Sequence, residues 1–223
     1  MLYLVPSPIG NLDDMSFRAV KILQEVDRVL AEDTRVSSKL QKHFGIDKSI
    51  DSFHAHNEHK KLDSVIKELK SGIDIALLSD AGTPGISDPG FLLVRKAVEE
   101  GIQVSCLPGA TALIPALVMS GLPCDKFYFE GFLPHKKGRM SRIQFLLSLE
   151  YTFVMYESPY RVVKTLEQII DQGGGDRRMS LSREISKLYE ENIYGTVSEV
   201  LDQVQSRSQL KGEFVLCIEG NKK

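Results

Sequence analysis

Short apolar runs rich in β-branched residues alternate with segments whose apolar residues recur at helical spacing, and the alternation starts at the first residues of the chain. Strands are predicted over 2–5, 28–31, 49–53, 73–78 and 102–107. Between and after them, helices are predicted around 17–23 and over 36–44, 57–71, 91–100 and 110–120. Gly45 and Gly72 stand where two of these helices should close. Five βα units in succession predict an open, mostly parallel sheet with right-handed crossovers. Gly121-Leu122-Pro123 breaks the series, so residues 1–121 and 122–223 are expected to form two α/β domains. In the second, strands are predicted over 127–129, 152–156, 179–183, 188–194 and 214–218, and helices over 141–149, 160–171 and 197–204. Strands 179–183 and 188–194 are close enough to pair antiparallel, which makes this second sheet mixed.

A chain of 223 residues suits one large domain or two small ones. Its 28 basic and 30 acidic side chains leave a formal charge of −2, so a nucleic-acid partner would need a local basic patch. No apolar run approaches the roughly 20 residues of a bilayer span, and MLYLVPSPIGN has no signal-peptide pattern. Three widely spaced cysteines, Cys106, Cys124 and Cys217, argue against a disulfide framework or a structural zinc site. A cytoplasmic protein without membrane attachment is the expectation.

The unusual residues share a position: nearly every Gly/Pro-rich or polar cluster directly follows a predicted strand. SPIGN follows the first, EDTR the second, SDAGTPGISDPG the fourth, PGAT the fifth and YESP the 152–156 strand. In open α/β sheets, ligands bind in the crevice beyond the carboxyl ends of the strands, so these loops should converge on a cleft. The loop over 79–90 is the most constrained, spending twelve residues where about 2–6 usually suffice. Gly82 and Gly85 can present bare main chain to a ligand, and Thr83, Ser87, Asp80 and Asp88 offer polar contacts.

Other chemistries fit less well. There is no GxxxxGK(S/T) phosphate loop, and only Gly10 stands where a dinucleotide GxGxxG would begin, although Glu32 and Asp33 lie near the spacing of a ribose-binding acid. His54-Ala-His56-Asn57-Glu58-His59 approaches the HxHxDH spacing of zinc hydrolases, but only His43 and His135 remain as further histidines, so no metal is expected. A basic stretch, Lys136, Lys137, Arg139 and Arg142, can hold phosphates, and Arg35, Lys39 and Arg161 would extend that rim as RNA-binding candidates.

Taken in order, LYLVPSPIGNLDD, AEDTR, LLSDAGTPGISDPG, LPGATAL, FEGFLPHKKGR, MYESPYR and GEFVL closely resemble the small-subunit ribosomal RNA 2′-O-ribose methyltransferases of the tetrapyrrole methylase superfamily. The resemblance runs over essentially the whole chain. It implies two αβα domains, the first sheet mostly parallel and the second mixed, with S-adenosylmethionine folded in a cleft between them. It also implies a homodimer and a cytidine ribose of 16S ribosomal RNA, in the small ribosomal subunit, as substrate. Residue by residue, Pro8, Ile9 and Gly10 would line one side of the cofactor, and Gly82, Thr83, Pro84, Gly85 and Ile86 would wrap its amino-acid and ribose parts. Thr111 and Ala112 would meet its methionine end or adenine edge, and Met155, Tyr156 and Phe214 would close over the adenine. Members often carry a further helical region of about fifty residues beyond the last strand, where this sequence stops at Lys223; if that region grips RNA in relatives, the expectation here is a grip through the dimer surface or weaker binding.

Methyl transfer from a sulfonium is an in-line displacement, so the protein's main task is to position the attacking oxygen. A ribose hydroxyl also needs a proton acceptor or a cation beside its developing charge. Asp33, Asp80 and Glu157 are the candidate bases and Arg35 the candidate cation, with helix capping or ion pairing as their structural alternative. Two rivals lead, a corrinoid or porphyrin methylase of the same fold and a ribosome-associated module that binds the cofactor without transferring its methyl group; a zinc hydrolase ranks third.

Overall fold

The computed structural model describes residues 1–207 and 209–221; Ser208, Lys222 and Lys223, the residue at which the sequence ends, lie outside them. Contacts divide the chain into Met1–Thr111 and Ala112–Lys223.

In the first unit, strands β1 (Leu2–Val5), β2 (Arg28–Ala31), β3 (Ile50–Ser52), β4 (Ile75–Leu78) and β5 (Val104–Cys106) form one sheet in the order β3-β2-β4-β1-β5. Every pairing in it is parallel. Helices α1 (Phe17–Glu25), α2 (Thr34–His43), α3 (Glu58–Lys70) and α4 (Phe91–Glu99) make the crossovers. Strand residues alternate between two cores, as a pleated sheet covered on both faces requires. Val5, Val29, Ala31, Ala76 and Leu78 pack with Ala19 and Leu23 of α1 and Leu40 of α2. Leu2, Leu4, Leu30, Ile75 and Leu77 pack with Val65, Ile66 and Leu69 of α3 and Leu93 and Ala97 of α4. The chain therefore leaves β1 for one face and β4 for the other, although β1 and β4 are neighbours. That divergence opens a crevice at their carboxyl ends.

In the second unit, β6 (Phe127–Phe132), β7 (Thr152–Glu157), β8 (Arg178–Arg183), β9 (Glu191–Thr196) and β10 (Phe214–Ile218) form a sheet in the order β6-β7-β10-β8-β9. β6 and β7 are parallel and the remaining pairs antiparallel, as expected of a mixed sheet. Helices α6 (Arg139–Ser148), α7 (Val162–Asp171) and α8 (Val197–Gln205) supply Ile143, Leu146, Val162, Leu166, Ile169, Val200 and Val204 to a core shared with Phe153, Met155, Leu181, Phe214 and Leu216. Helix α5 (Leu113–Met119) packs against β10, β7 and β8. For that reason the division falls before α5, whereas the Gly121–Pro123 breaker pointed to a place after it. β9 also begins later than predicted. Glu184 and Ser186 take left-handed conformations, and the turn they build leaves the apolar Leu188 and Tyr189 exposed rather than in the strand.

Candidate functional site

The loops after β1, β4 and β5 come together in the first unit. Ser7 and Gly82 exchange two main-chain hydrogen bonds of 2.9 Å, an isolated antiparallel bridge between the β1 and β4 loops. Two buried hydroxyls lock it: Ser7 Oγ donates to the Ser79 carbonyl at 2.8 Å, and Ser79 Oγ to the Gly82 carbonyl at 2.9 Å. Thr83 Oγ1 donates to the Ala110 carbonyl at 3.3 Å, which ties in the loop after β5. A Cβ on Gly82 would lie 3.7 Å from Ile9 and 3.8 Å from the Ala110 oxygen, while one on Gly109 would collide with Pro6 at 2.6 Å. Main chain from three strands thus meets at close range, beside the β1/β4 crevice. Of the expected cofactor residues, this brings together Ile9, Gly82, Thr83 and the stretch leading into Thr111, with Pro8, Gly10, Pro84, Gly85 and Ile86 in the same two loops.

This corner has the features a bound organic ligand needs. Gly85 has φ +84°, a conformation that favours glycine, and a Cβ there would point into open space. Among the described residues, the amides of Thr83 and Gly85 donate to no other group, so they stand ready for acceptor atoms of a ligand. Ile86 is an exposed apolar side chain in the same turn.

Carboxylates crowd the edge of the same region. β2 pairs with β4 in a register that sets Ala31 opposite Leu78, so the residues that follow, Glu32-Asp33 and Ser79-Asp80, emerge together. The Asp33 amide donates to Asp80 Oδ1 at 2.9 Å. Asp33 itself holds Arg35 through Oδ1–Nε at 3.0 Å and Oδ2–Nη2 at 2.6 Å, and this partner draws its carboxyl down to about 2. Such a carboxylate is a weak base, and its cation is already neutralised. Glu32 and Asp88 differ: among the described residues neither has a hydrogen-bonding side-chain partner, although Glu32 accepts the Asp80 amide. Burial, then the Asp80 charge, raises the Glu32 carboxyl above its usual range. Burial, with Glu32 and Asp80 adding to it, pushes Asp88 up to about 7. Sequence reasoning saw Glu32 only as a ribose-binding acid of a dinucleotide site and Asp88 only as a polar ligand contact, because their proximity depends on the β2–β4 pairing.

In the second unit several candidates turn out to be structural. Glu157, a candidate base, has a side chain with 0% exposure. Its Oε1 takes Arg161 Nε at 2.9 Å and the Ser158 amide at 2.8 Å; its Oε2 takes Thr165 Oγ1 at 2.7 Å and Arg139 Nη2 at 3.4 Å. With both oxygens occupied and no path to solvent, Glu157 is corrected to a buried counter-ion joining β7, α6 and α7. Arg139, expected to bind RNA, is correspondingly buried, its other bonds going to Gln168 and the Pro134 carbonyl. Arg142 is engaged by Glu130 and the Tyr128 hydroxyl and lies over the Phe145 ring. The basic stretch therefore offers solvent two lysines, Lys136 and Lys137, rather than four cations; Lys39 on α2 is likewise exposed without an ion pair among the described residues. Met155 and Phe214 are buried in the core under α6–α8, whereas Tyr156 is half-buried and meets the rings of Phe129 and Phe132 at 5.2 and 5.6 Å. Ala112 stands as the first residue before α5.

Among the described residues, no three His, Cys, Asp or Glu side chains are grouped so as to hold a metal ion, and no helix is long and apolar enough to cross a membrane. Asn57 Oδ1 accepts the His54 amide, so the histidine motif closes a turn ahead of α3.

Comparison with known proteins places these features in a family context. The model for Tetrapyrrole (Corrin/Porphyrin) Methylases matches residues 1–201. A Pseudomonas aeruginosa protein named ribosomal RNA small subunit methyltransferase I is 48% identical over 221 residues, covering 98% of this chain and 78% of its own. An Escherichia coli O157:H7 protein of the same name is 46% identical over 224 residues, covering 99% and 78%. Among solved structures, diphthine synthase superposes with a TM-score of 0.73 at 14% identity, covering 98% of this chain and 89% of that one. Uroporphyrin-III C-methyl transferase from Thermus thermophilus, complexed with S-adenyl homocysteine, gives 0.66 at 16%, covering 98% and 96%.

Proposed function

The chain belongs to the tetrapyrrole methylase family, and from that premise we propose that it is an S-adenosylmethionine-dependent methyltransferase that methylates the ribose 2′-hydroxyl of a cytidine in 16S ribosomal RNA. The observation that carries the proposal is the convergence of the β1, β4 and β5 loops at the Ser7–Gly82 bridge, with the Thr83 and Gly85 amides free of protein partners among the described residues. The relatives' name supports ribosomal RNA over a macrocycle as substrate, and the exposed Lys136 and Lys137, without an ion pair among the described residues, are in keeping with a polyanion.

When bound, the cofactor supplies an electrophilic methyl group on a sulfonium. Pro8, Ile9, Gly10, Gly82–Ile86 and Thr111 would hold it in the first unit. The chain's own chemistry is orientation and proton removal. Asp88 is the best-suited proton acceptor, since a base works best when its pKa lies near the working pH. Asp80 and Glu32 raise its proton affinity, and Arg35 would face the developing alkoxide only after releasing Asp33, an exchange that an exposed pair permits at small cost. In solution the protein is proposed to be a homodimer.

Purified protein incubated with labelled S-adenosylmethionine and small ribosomal subunits from cells lacking it tests the proposal. Label confined to one cytidine ribose is expected. Donor uptake without label in the RNA would overturn it in favour of a binding module, and label in a corrinoid or porphyrin would favour the macrocycle methylase.

A further inference from the structure

We infer that Tyr160 is a stacking platform for an unpaired base of the RNA substrate, flanked by Lys136 and Lys137 as phosphate contacts; the inference rests on the proposed RNA substrate and names a residue that recognises it. β6 and β7 are parallel neighbours, so the loops that follow them leave the same end of the sheet. One loop carries His135, Lys136 and Lys137, and the other Ser158, Pro159, Tyr160 and Arg161. Arg161 bridges the two, since its guanidinium binds His135 Nδ1 at 2.9 Å while its Nε binds buried Glu157 at 2.9 Å. Tyr160 and the lysines are thereby held at one place on a rigid support.

Tyr160 is 94% exposed, in a turn whose neighbours on either side are pinned by hydrogen bonds: the Arg161 and Val162 amides both donate to the Ser158 carbonyl, at 3.0 and 3.1 Å. An aromatic ring left in water on an ordered turn gains nothing for the fold, because it removes no apolar area from solvent. With two lysines on the adjacent loop that form no ion pair among the described residues, it has the composition of a single-strand nucleic-acid site, where an aromatic face takes a base and cations follow the backbone. Duplex RNA offers no base face for such a ring, so the expected ligand is a loop or bulge nucleotide.

The test uses the full chain and a short cytidine-rich RNA carrying one 2-aminopurine, whose fluorescence is quenched by stacking. Tyr160→Ala is expected to weaken binding about ten- to hundred-fold and abolish the quench, with the thermal midpoint and the salt dependence of affinity unchanged. Tyr160→Phe should restore both, and Tyr160→Leu neither. The Lys136→Ala/Lys137→Ala pair should keep the quench while reducing the salt slope by roughly 0.7 per lysine. With small subunits, Tyr160→Ala should raise KM more than it lowers kcat. A wild-type protein that binds and methylates RNA, matched in every measurement by Tyr160→Ala, would overturn the stacking role and leave the function intact. A wild-type protein that methylates no RNA would overturn the function itself. Normal RNA binding by Tyr160→Ala with transfer lost only on assembled subunits would assign the ring to a ribosomal protein and likewise overturn the inference.

Discussion

The two units treat buried charge in opposite ways. In the second, Glu157 is fully buried and every lone pair that faces protein has a donor, two of them arginines. In the first, Glu32, Asp80 and Asp88 crowd together in the loops after β2 and β4 with no ion pair to Glu32 or Asp88 among the described residues, and Arg35 is taken by Asp33. Crowding like charges in partly buried surroundings opposes folding, so a cluster of this kind points to a role other than stability. The difference separates a carboxylate that holds elements together from carboxylates available for proton transfer, a distinction that residue type alone does not make.

Substituting the unpaired acids is the most direct way to break this contrast. Asp88→Asn is expected to lower kcat about 10²–10⁴-fold, the usual contribution of a positioned base, with donor affinity kept. Asp80→Asn should lower the pH at which activity rises, because it removes one of the negative charges that raise the Asp88 proton affinity. Rates measured between pH 5 and 9 on labelled small subunits check both. In the wild type, activity should climb with pH through about 7 as Asp88 loses its proton. A rate indifferent to pH over that range, with Asp88→Asn fully active, would remove the base from the first unit.

The paired acid should fail in the other direction. Glu157→Ala leaves Arg139 buried beside an empty position, and breaking a buried ion pair from one side costs about 3–5 kcal/mol of stability. Chemical denaturation should report that loss, while kcat per folded molecule stays within a few-fold of wild type. A stable Glu157→Ala protein with transfer abolished would restore Glu157 to the chemistry.

Much of this was legible in the sequence because local pattern and tertiary position coincide in α/β folds. The βα alternation implied the parallel sheet, and the position of SPIGN, SDAGTPGISDPG and PGAT after strands placed them at one sheet margin, where the Ser7–Gly82 and Thr83–Ala110 contacts join them. What stayed hidden depends on pairing across the sheet. Glu32 and Asp88 lie far apart along the chain and meet only because β4 inserts beside β2, an order that hydrophobic periodicity does not encode. Arg139 and Arg142 looked equivalent to Lys136 and Lys137 in a basic run. The start of α6 turns Arg139 inward to Glu157 and Arg142 toward Glu130, while the lysines remain on the loop. Leu188 and Tyr189 read as strand because apolar content does not reveal the left-handed residues just before them.

The smallest expected effect is also the one that discriminates best, because it concerns stability at the site proposed for chemistry. Asp88 binds its proton more tightly in the folded state, with a pKa of about 7 against an unfolded value near 4. Folding is therefore favoured by Asp88 at low pH, and that advantage is lost as pH rises from about 4 through about 7, where the folded chain must hold a charge it disfavours. Asp88→Asn removes this penalty. Since Asp88 is only partly buried, solvent screening should limit the gain to about 1–2 kcal/mol at pH 8, shrinking to nothing near pH 4. Glu157→Ala should show no gain at either pH, being less stable than wild type at both ends. Denaturation midpoints of both variants at pH 4 and pH 8 measure the contrast, and an Asp88→Asn protein less stable than wild type at pH 8 would mean that Asp88, too, is compensated.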